Sequence, residues 1–208
     1  MVLGLDTCLS ACSVAVRDGE RVLASASEVM ARGHQERLAP MTQRVMADAG
    51  IAFDKLERVG VTVGPGSFTG LRVGIAFAKG LASALDIPAV GVGTLEALAA
   101  EADGLVFAVL DARRGQVYLQ GFEAGKPVMA PDVLAVETAA ARLAELAMGR
   151  PLTLVGSGAP LLAEVAPGAT VILAEGADAR HVARLAAAKP VTPLKPLYLR
   201  APDARLPA

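Results

Sequence analysis

Residues 2–18 read VLGLDTCLSACSVAVRD, and residues 105–122 read LVFAVLDARRGQVYLQGF. In each stretch an apolar run ends in an acid, Asp6 or Asp111, and a turn leads into a second strand-like run. The same unit therefore occurs twice, about a hundred residues apart, with helical patterns between the copies. This repeat predicts a duplicated α/β fold whose second copy is degenerate.

The other elements follow from hydrophobic periodicity and from turn residues. His34 to Ala49 has the period of a helix, with Leu38, Met41 and Val45 on its apolar face. Further predicted elements are the strand Arg58 to Val63, the helix Gly70 to Leu85, the strand Pro88 to Val92, the helix Glu137 to Ala147, the strand Leu152 to Val155, short elements to Ala187 and an extended Pro-rich tail from Lys189. We place the lobe boundary near residues 100–104, so the predicted lobes cover 1–102 and 103–208.

Composition narrows the class of function. The chain has 20 basic and 21 acidic residues, whereas a protein that binds RNA alone usually has a basic excess. Any nucleic-acid role is therefore expected to be shared with another subunit. Asp6 interrupts the first apolar run, and Val73 to Leu85 contains Lys79 and is shorter than the roughly 20 residues of a membrane span. We expect a cytoplasmic protein without a membrane segment.

The two acid-ended turns leave two interpretations open. In ATPases of a duplicated fold, such turns hold phosphate and magnesium, with a glycine next to the acid. Here Thr7 and Ala112 follow the acids, and a side chain at that position would crowd a phosphate. The alternative is that each acid caps its own turn. Arg113 and Arg114, in the second turn, would bind an anion or be solvated.

The glycine-rich loop from Gly64 to Gly70 also has two interpretations. Its strand-to-helix position allows Gly66, Ser67 and Thr69 to bind an anion at the helix start. It lacks the Gly-Lys-Ser/Thr ending of a Walker loop. The alternative is a tight turn in which Ser67 or Thr69 caps the helix.

The helix after this loop has a stripe of small residues spaced by four, formed by Gly70, Gly74, Ala78 and Ala82. Such a stripe allows a close helix contact, either inside the core or with a partner. The helix is apolar nearly all round, so more than one side must be covered. We therefore predict a partner interface here.

Metal chemistry has few candidate ligands. The chain has two histidines, His34 and His181, without the spacing of a zinc motif, and no Ser-His-Asp arrangement is indicated. Cys8 and Cys12 are interpreted as partly buried thiols in a reducing compartment, and their roles stay open. We expect no metal site and no cofactor.

Several motifs together resemble one family. They are Gly4 to Thr7, Arg32 to Pro40, Gly64 to Gly74, Asp111 to Tyr118 and Pro196 to Ala204. On these motifs the chain resembles the TsaB family, the bacterial tRNA threonylcarbamoyladenosine biosynthesis proteins once called glycoprotease homologues. Because the motifs extend from the first strand to the tail, the resemblance covers essentially the whole chain.

The resemblance implies an actin-like ATPase fold of the ASKHA, or ribonuclease H-like, class. It also implies a non-catalytic subunit that binds and activates TsaD, which transfers threonylcarbamoyl to the adenosine next to the tRNA anticodon, with TsaE joining the assembly. The two metal-binding histidines of TsaD align with Thr94 and Leu98, so the metal chemistry does not carry over.

The resemblance further implies that the two N-terminal helices bind TsaD, or a second copy when the protein is alone. The predicted interface residues are His34, Leu38, Met41, Val45, Gly70, Val73, Gly74, Phe77, Ala78 and Leu81. The alternative functions are an independent nucleotide-hydrolysing or sugar-kinase-like enzyme and, less favoured, a metallopeptidase.

Overall fold

The computed structural model describes residues 1–200, which form two β-sheets, each with helices on both faces. The first half contains β1 (Val2–Asp6), β2 (Ala11–Asp18), β3 (Arg21–Val29), α1 (His34–Asp48), a 3-10 helix (Phe53–Lys55), β4 (Arg58–Thr62), α2 (Phe68–Leu85), β5 (Ala89–Val92) and α3 (Thr94–Ala99). The second half contains β6 (Leu105–Arg113), β7 (Gln116–Glu123), β8 (Lys126–Pro127), β9 (Asp132–Ala135), α4 (Val136–Ala147), β10 (Thr153–Val155), α5 (Ala159–Ala163), β11 (Thr170–Ile172) and α6 (Ala179–Ala188).

The two sheets have the same strand order. In the first sheet the order is β3-β2-β1-β4-β5, with β1 antiparallel to β2 and parallel to β4. In the second sheet β6 takes the place of β1: it is antiparallel to β7 and parallel to β10, and β11 lies beyond β10. The duplicated α/β architecture predicted from the repeat is confirmed, and the short strands β8, β10 and β11 make the second copy the reduced one.

Alternating side chains of β1 pack on opposite faces of the first sheet, as the pleat requires. Leu3 and Leu5 are fully buried in a core that includes Met41 of α1 and Leu71 of α2. Gly4, between them, faces α6 instead. The first sheet is therefore enclosed by helices from both ends of the chain.

Two helices cross between the halves of the chain. Helix α3 follows the last strand of the first sheet but packs on β6 and β7, where Leu95 and Leu98 join Val106 and Leu110 in one apolar cluster. Helix α6 follows the second sheet but packs on β1, β2 and β4. The ranges 1–102 and 103–208 stay a prediction, and the packing shows that each half contributes a helix to the sheet of the other.

Helix α6 approaches the first sheet so closely that two strand positions have no room for a side chain. A Cβ on Gly4 would lie 2.2 Å from the backbone oxygen of Ala179, and a Cβ on Gly60 would lie 2.4 Å from the Cβ of Ala186. Real Cβ atoms do not approach other atoms this closely, so both glycines are needed for the helix to dock.

Among residues 1–200, α2 is the one helix whose length and composition would allow it to cross a membrane. It begins at Phe68 and has 18 residues, so it is longer than the apolar stretch Val73 to Leu85 predicted from the sequence. A third of it is buried inside the protein, where it packs mainly on β4 and on α1.

We expect Gly4→Ala to lower the free energy of unfolding by roughly 2–3 kcal/mol, because the new methyl group would overlap the backbone of α6. Gly80→Ala in α2 is the matched control, since a Cβ there meets no atom within 4 Å. It is expected to raise the free energy of unfolding by about 0.5–1 kcal/mol. Urea unfolding measures both, and equal effects would contradict this account of α6 docking.

Candidate functional site: the interlobe cleft and the groove between α1 and α2

Both acid-ended turns line one cleft of about 860 Å³. The first turn contributes residues 8–10, the start of α1 contributes 33–36, and the second turn contributes 110–113. The loop before α2 and Ser157, at the end of β10, complete the walls. The two turns found from the sequence repeat therefore lie on one cleft, and the chemistry of each turn depends on what its acid contacts.

The carboxylate of Asp6 is fully buried and has three hydrogen-bond donors. Its Oδ1 accepts from the backbone N–H of Cys8 at 3.1 Å and from the hydroxyl of Thr62 at 2.6 Å, and its Oδ2 accepts from the backbone N–H of Ala177 at 3.0 Å. Burial raises the pKa of Asp6, although these three bonds act in the opposite direction. Asp6 therefore holds protein groups together and does not present an oxygen to the cleft.

Asp111, at the matching position of the second sheet, also caps its own turn. Its Oδ1 accepts from the backbone N–H of Arg113 at 2.7 Å, and its Oδ2 lies 3.3 Å from the guanidinium of the same residue. Arg113 and Arg114 have positive φ angles of 63° and 54°. The interpretation of both acids as turn caps is confirmed.

The glycine-rich loop is held against the first turn. The Oγ of Ser67 accepts from the backbone N–H of Gly70 at 3.3 Å, which confirms the helix-cap interpretation. The hydroxyl of Thr7 donates to the oxygen of Gly70 at 2.7 Å, and a Cβ on Gly70 would lie 2.0 Å from the oxygen of Thr7. Gly66, Ser67 and Thr69 all line the cleft, and anion binding by them stays a prediction.

The stripe of small residues on α2 faces the interior. A Cβ on Gly74 would lie 2.6 Å from Oγ1 of Thr7 and 3.3 Å from a methyl group of Val61 in β4. Six of the predicted interface residues are buried inside the chain and offer almost no surface to a partner: Leu38, Met41, Val45, Gly70, Gly74 and Ala78. This corrects the interpretation of the stripe as a partner interface. The small residues do allow a close approach, but the elements that approach them are the first turn and β4.

The remaining predicted interface residues lie at the surface. Val73 and Phe77 line a groove of about 580 Å³ between α1 and α2, together with Gln35, Phe68 and Ala76. The groove is mainly apolar, and Phe68 is 52% exposed. Leu81 is half-buried one turn further along α2.

His34, the other predicted interface residue, lies at the start of α1 on the wall of the cleft. Its Nε2 is 3.1 Å from the backbone oxygen of Leu9, so it supports the first turn. The residue therefore connects the helix that borders the groove with the turn that borders the cleft.

Residues 190–200 of the tail form no helix or strand, and their contacts reach from the first sheet to the second. The extended course of the tail stays a prediction. The N–H of Leu197 donates to the oxygen of Val63 at 2.7 Å, and the ring of Tyr198 stacks on Phe68 with centroids 5.8 Å apart. Arg200 then donates to the backbone oxygen of Ala112 at 2.9 Å and to the side chain of Gln116. Residues 201–204 of the tail motif lie outside the described residues.

One group of possible metal ligands occurs in residues 1–200. Oxygen and nitrogen atoms of Glu101, Asp178 and His181 lie within 4.8 Å of one another. Asp178 already caps α6 through the N–H of Arg180 at 2.7 Å and pairs with the same guanidinium. Sequence spacing could not reveal this group, since Glu101 is far from the other two along the chain. The family's metal positions, Thr94 and Leu98, are fully buried.

The two thiols are buried near Asp6. Burial raises the pKa of Cys8 to about 12 and that of Cys12 to about 11, and the negative charge of Asp6 adds to both shifts. Both cysteines therefore stay protonated near neutral pH, which is the state of inert core thiols.

The chain has a fold of the actin-like ATPase type. The ROK hexokinase from Thermus thermophilus shares this fold, with a TM-score of 0.51 at 16% identity over 89% of this chain and 97% of the hexokinase. At that identity the likeness concerns the fold alone.

Closer relatives give the family. A family model described as TsaD, tRNA N6-adenosine threonylcarbamoyltransferase, matches residues 24–167. The structure of YeaZ from Pseudomonas aeruginosa has a TM-score of 0.82 at 31% identity, covering 95% of this chain and 99% of YeaZ. TsaB of Escherichia coli, named a tRNA threonylcarbamoyladenosine biosynthesis protein, is 39% identical over 122 residues, which are 56% of this chain and 52% of that protein.

A further relative, an uncharacterized protein of Mycobacterium tuberculosis, is 36% identical over 206 residues, 98% of this chain and 93% of its own length. The chain belongs to the family of the TsaD model and, within it, to the TsaB branch. The resemblance stated from the motifs is therefore confirmed.

We expect Asp6→Asn to lower the free energy of unfolding by about 2 kcal/mol at pH 7, because an amide N–H would face a backbone donor. The pKa of Asp6 is raised in the folded state, so the folded protein takes up a proton at a higher pH than the unfolded chain does. Between that pKa and the ordinary value near 4, proton uptake therefore stabilises the folded state. The stability of the wild type relative to the variant should therefore increase as the pH falls from 7 towards 4.

Urea unfolding of both proteins across this pH range makes the comparison. Asp54→Asn, in an exposed 3-10 helix, is the control and should change the free energy of unfolding by less than about 0.5 kcal/mol. A difference between wild type and Asp6→Asn that shrinks as the pH falls would contradict the buried role of Asp6.

Proposed function

We propose that this chain is a non-catalytic partner subunit that binds TsaD and activates threonylcarbamoyl transfer to the adenosine next to the tRNA anticodon. Membership of the TsaB branch supports the pathway, since relatives at 38–39% identity are named tRNA threonylcarbamoyladenosine biosynthesis proteins. TsaE joins through TsaD, a second copy takes the same surface when TsaD is absent, and tRNA is contacted indirectly. The cytoplasm, where tRNA is modified, is the proposed location.

The observation that carries the proposal is the groove between α1 and α2. Val73, Ala76 and Phe77 line it together with the exposed Phe68. An apolar groove between two helices can receive the apolar face of a partner helix. Because α1 and α2 pack on one face of the first sheet, a partner helix can pack on their outer side without rearranging the core.

The contacts of the cleft support a non-catalytic role. Asp6 gives its oxygens to three protein donors, and Thr7, where a glycine would admit a phosphate, uses its hydroxyl to hold Gly70. The positions of the family's metal pair are Thr94 and Leu98, and a leucine offers no ligand atom. An independent nucleotide-hydrolysing enzyme would need these groups for phosphate, magnesium or metal.

The proposal predicts that Ala76→Glu weakens binding to TsaD by about tenfold or more, because binding would then bury a carboxylate in the apolar groove. Ala76 is exposed in the free chain, so the variant should fold normally. Ala141→Glu on the exposed side of α4 is the matched control, with an unchanged dissociation constant expected.

Isothermal titration of purified TsaD with each variant gives the dissociation constants, and thermal unfolding checks the fold. If Ala76→Glu is folded and binds TsaD as tightly as the wild type, the groove is not the binding surface and the proposal fails.

A further inference from the structure

Three exposed residues of α2, Arg72, Ala76 and Lys79, form a ridge along the open edge of the groove. Their spacing of four and then three residues keeps them on one side of the helix. Arg72 and Lys79 are seven positions apart, which corresponds to about 10 Å along the helix axis. The ridge thus has a positive charge at each end and a small apolar residue between them.

Arg72 is held in one orientation by two aromatic residues. Its guanidinium carbon lies 3.7 Å from the ring centroid of Phe68, and its Nε donates to the hydroxyl of Tyr198 at 3.3 Å. A guanidinium stacked on a ring keeps its remaining N–H groups at its edge, where they can bind a carboxylate through two parallel bonds. Because the tail and Phe68 already restrict this side chain, binding a partner costs less rotamer entropy.

The charges of the ridge are not balanced within the described part of the chain. Helix α2 contains no Asp or Glu, and no ion pair of Arg72 or Lys79 occurs in residues 1–200. On α1, by contrast, Arg37 pairs with Glu28 and Arg44 pairs with Asp48. Two unpaired cations therefore lie on one of the two helices that border the groove, while Arg37 and Arg44 of the other helix are neutralised.

We infer that Arg72 and Lys79 bind two carboxylates of the TsaD surface, about 10 Å apart, that flank the apolar segment filling the groove. This inference rests on the proposed function and adds the chemistry of the partner face. Arg72 supplies orientation through paired N–H donors, and Lys79 supplies a point charge. Tyr198 is a positioning residue, because it acts through Arg72.

The surface suits an acidic protein face better than a second copy or RNA. A second copy packed through α2 would bring its own Arg72 and Lys79 and no acid of α2 against the ridge. Self-association is therefore expected to be weaker than binding to TsaD. RNA would meet two cations beside an apolar groove, whereas phosphate binding normally uses a wider basic patch.

Charge reversal tests the inference on the full chain. Arg72→Glu and Lys79→Glu are each expected to raise the dissociation constant for purified TsaD about tenfold, and the double variant more. Raising the salt concentration should weaken binding of the wild type and affect the double variant less, since the attraction is screened. Lys126→Glu, an exposed cation of β8, is the control and should bind as the wild type does.

Two milder variants separate charge from geometry. Arg72→Lys keeps the charge but loses the paired donors, and Tyr198→Phe keeps the ring but loses the hydroxyl acceptor, so both should weaken binding by a few-fold. Thermal unfolding of every variant confirms that the fold is retained.

The outcomes separate this inference from the proposed function. If the wild type does not bind TsaD, both fail. If the wild type binds and the charge-reversed variants bind equally well, the ridge has no role in binding. The groove alone then remains as the proposed binding surface for TsaD, and the inference is overturned. If the reversals weaken self-association or binding to tRNA while leaving TsaD unaffected, the occupant is a second copy or RNA, which also overturns the inference.

Discussion

The buried carboxylate of Asp6 is the contact on which the rest of the structure depends. It joins its own turn, through Cys8, to two distant parts of the chain. These are the neighbouring strand β4, through Thr62, and the loop before α6, through Ala177. Through the last of these bonds it fixes the start of the helix that crosses back onto the first sheet. The close docking of that helix in turn requires Gly4, two residues before Asp6 in the same strand.

The cleft keeps the architecture of the fold, but its polar groups are bonded to the protein itself. A cleft with two acid-ended turns is present, yet both acids are engaged by backbone donors and Thr7 clasps the start of α2. Thr7, which follows the first acid, holds α2 from inside the protein. The braced helix presents Val73 and Phe77 on its outer side, where the tail adds Tyr198 beside the groove. The contact beside the cleft thus holds in place a helix that forms one side of the groove.

Sequence reasoning predicted what depends on local pattern and missed what depends on distant contacts. The repeat of strand, acid, turn and strand gave the architecture of both sheets, and Ser67 was recognised as a possible cap. Helix α6 was missed, although Asp178 as its cap and buried Val182 and Ala186 four residues apart follow helical spacing. The stripe on α2 was assigned to a partner because spacing shows which residues share a face but not what covers that face.

The central claim is that the chain acts through the surface it offers to TsaD and performs no chemistry itself. Threonylcarbamoyl transfer to tRNA, measured with purified TsaD and TsaE while this chain is added in increasing amounts, tests it most directly. The account predicts a transfer rate that rises with the added chain and stops rising at one chain for each TsaD. A transfer rate independent of the chain, or one that continues to rise beyond equal amounts as an added catalyst would cause, would contradict it.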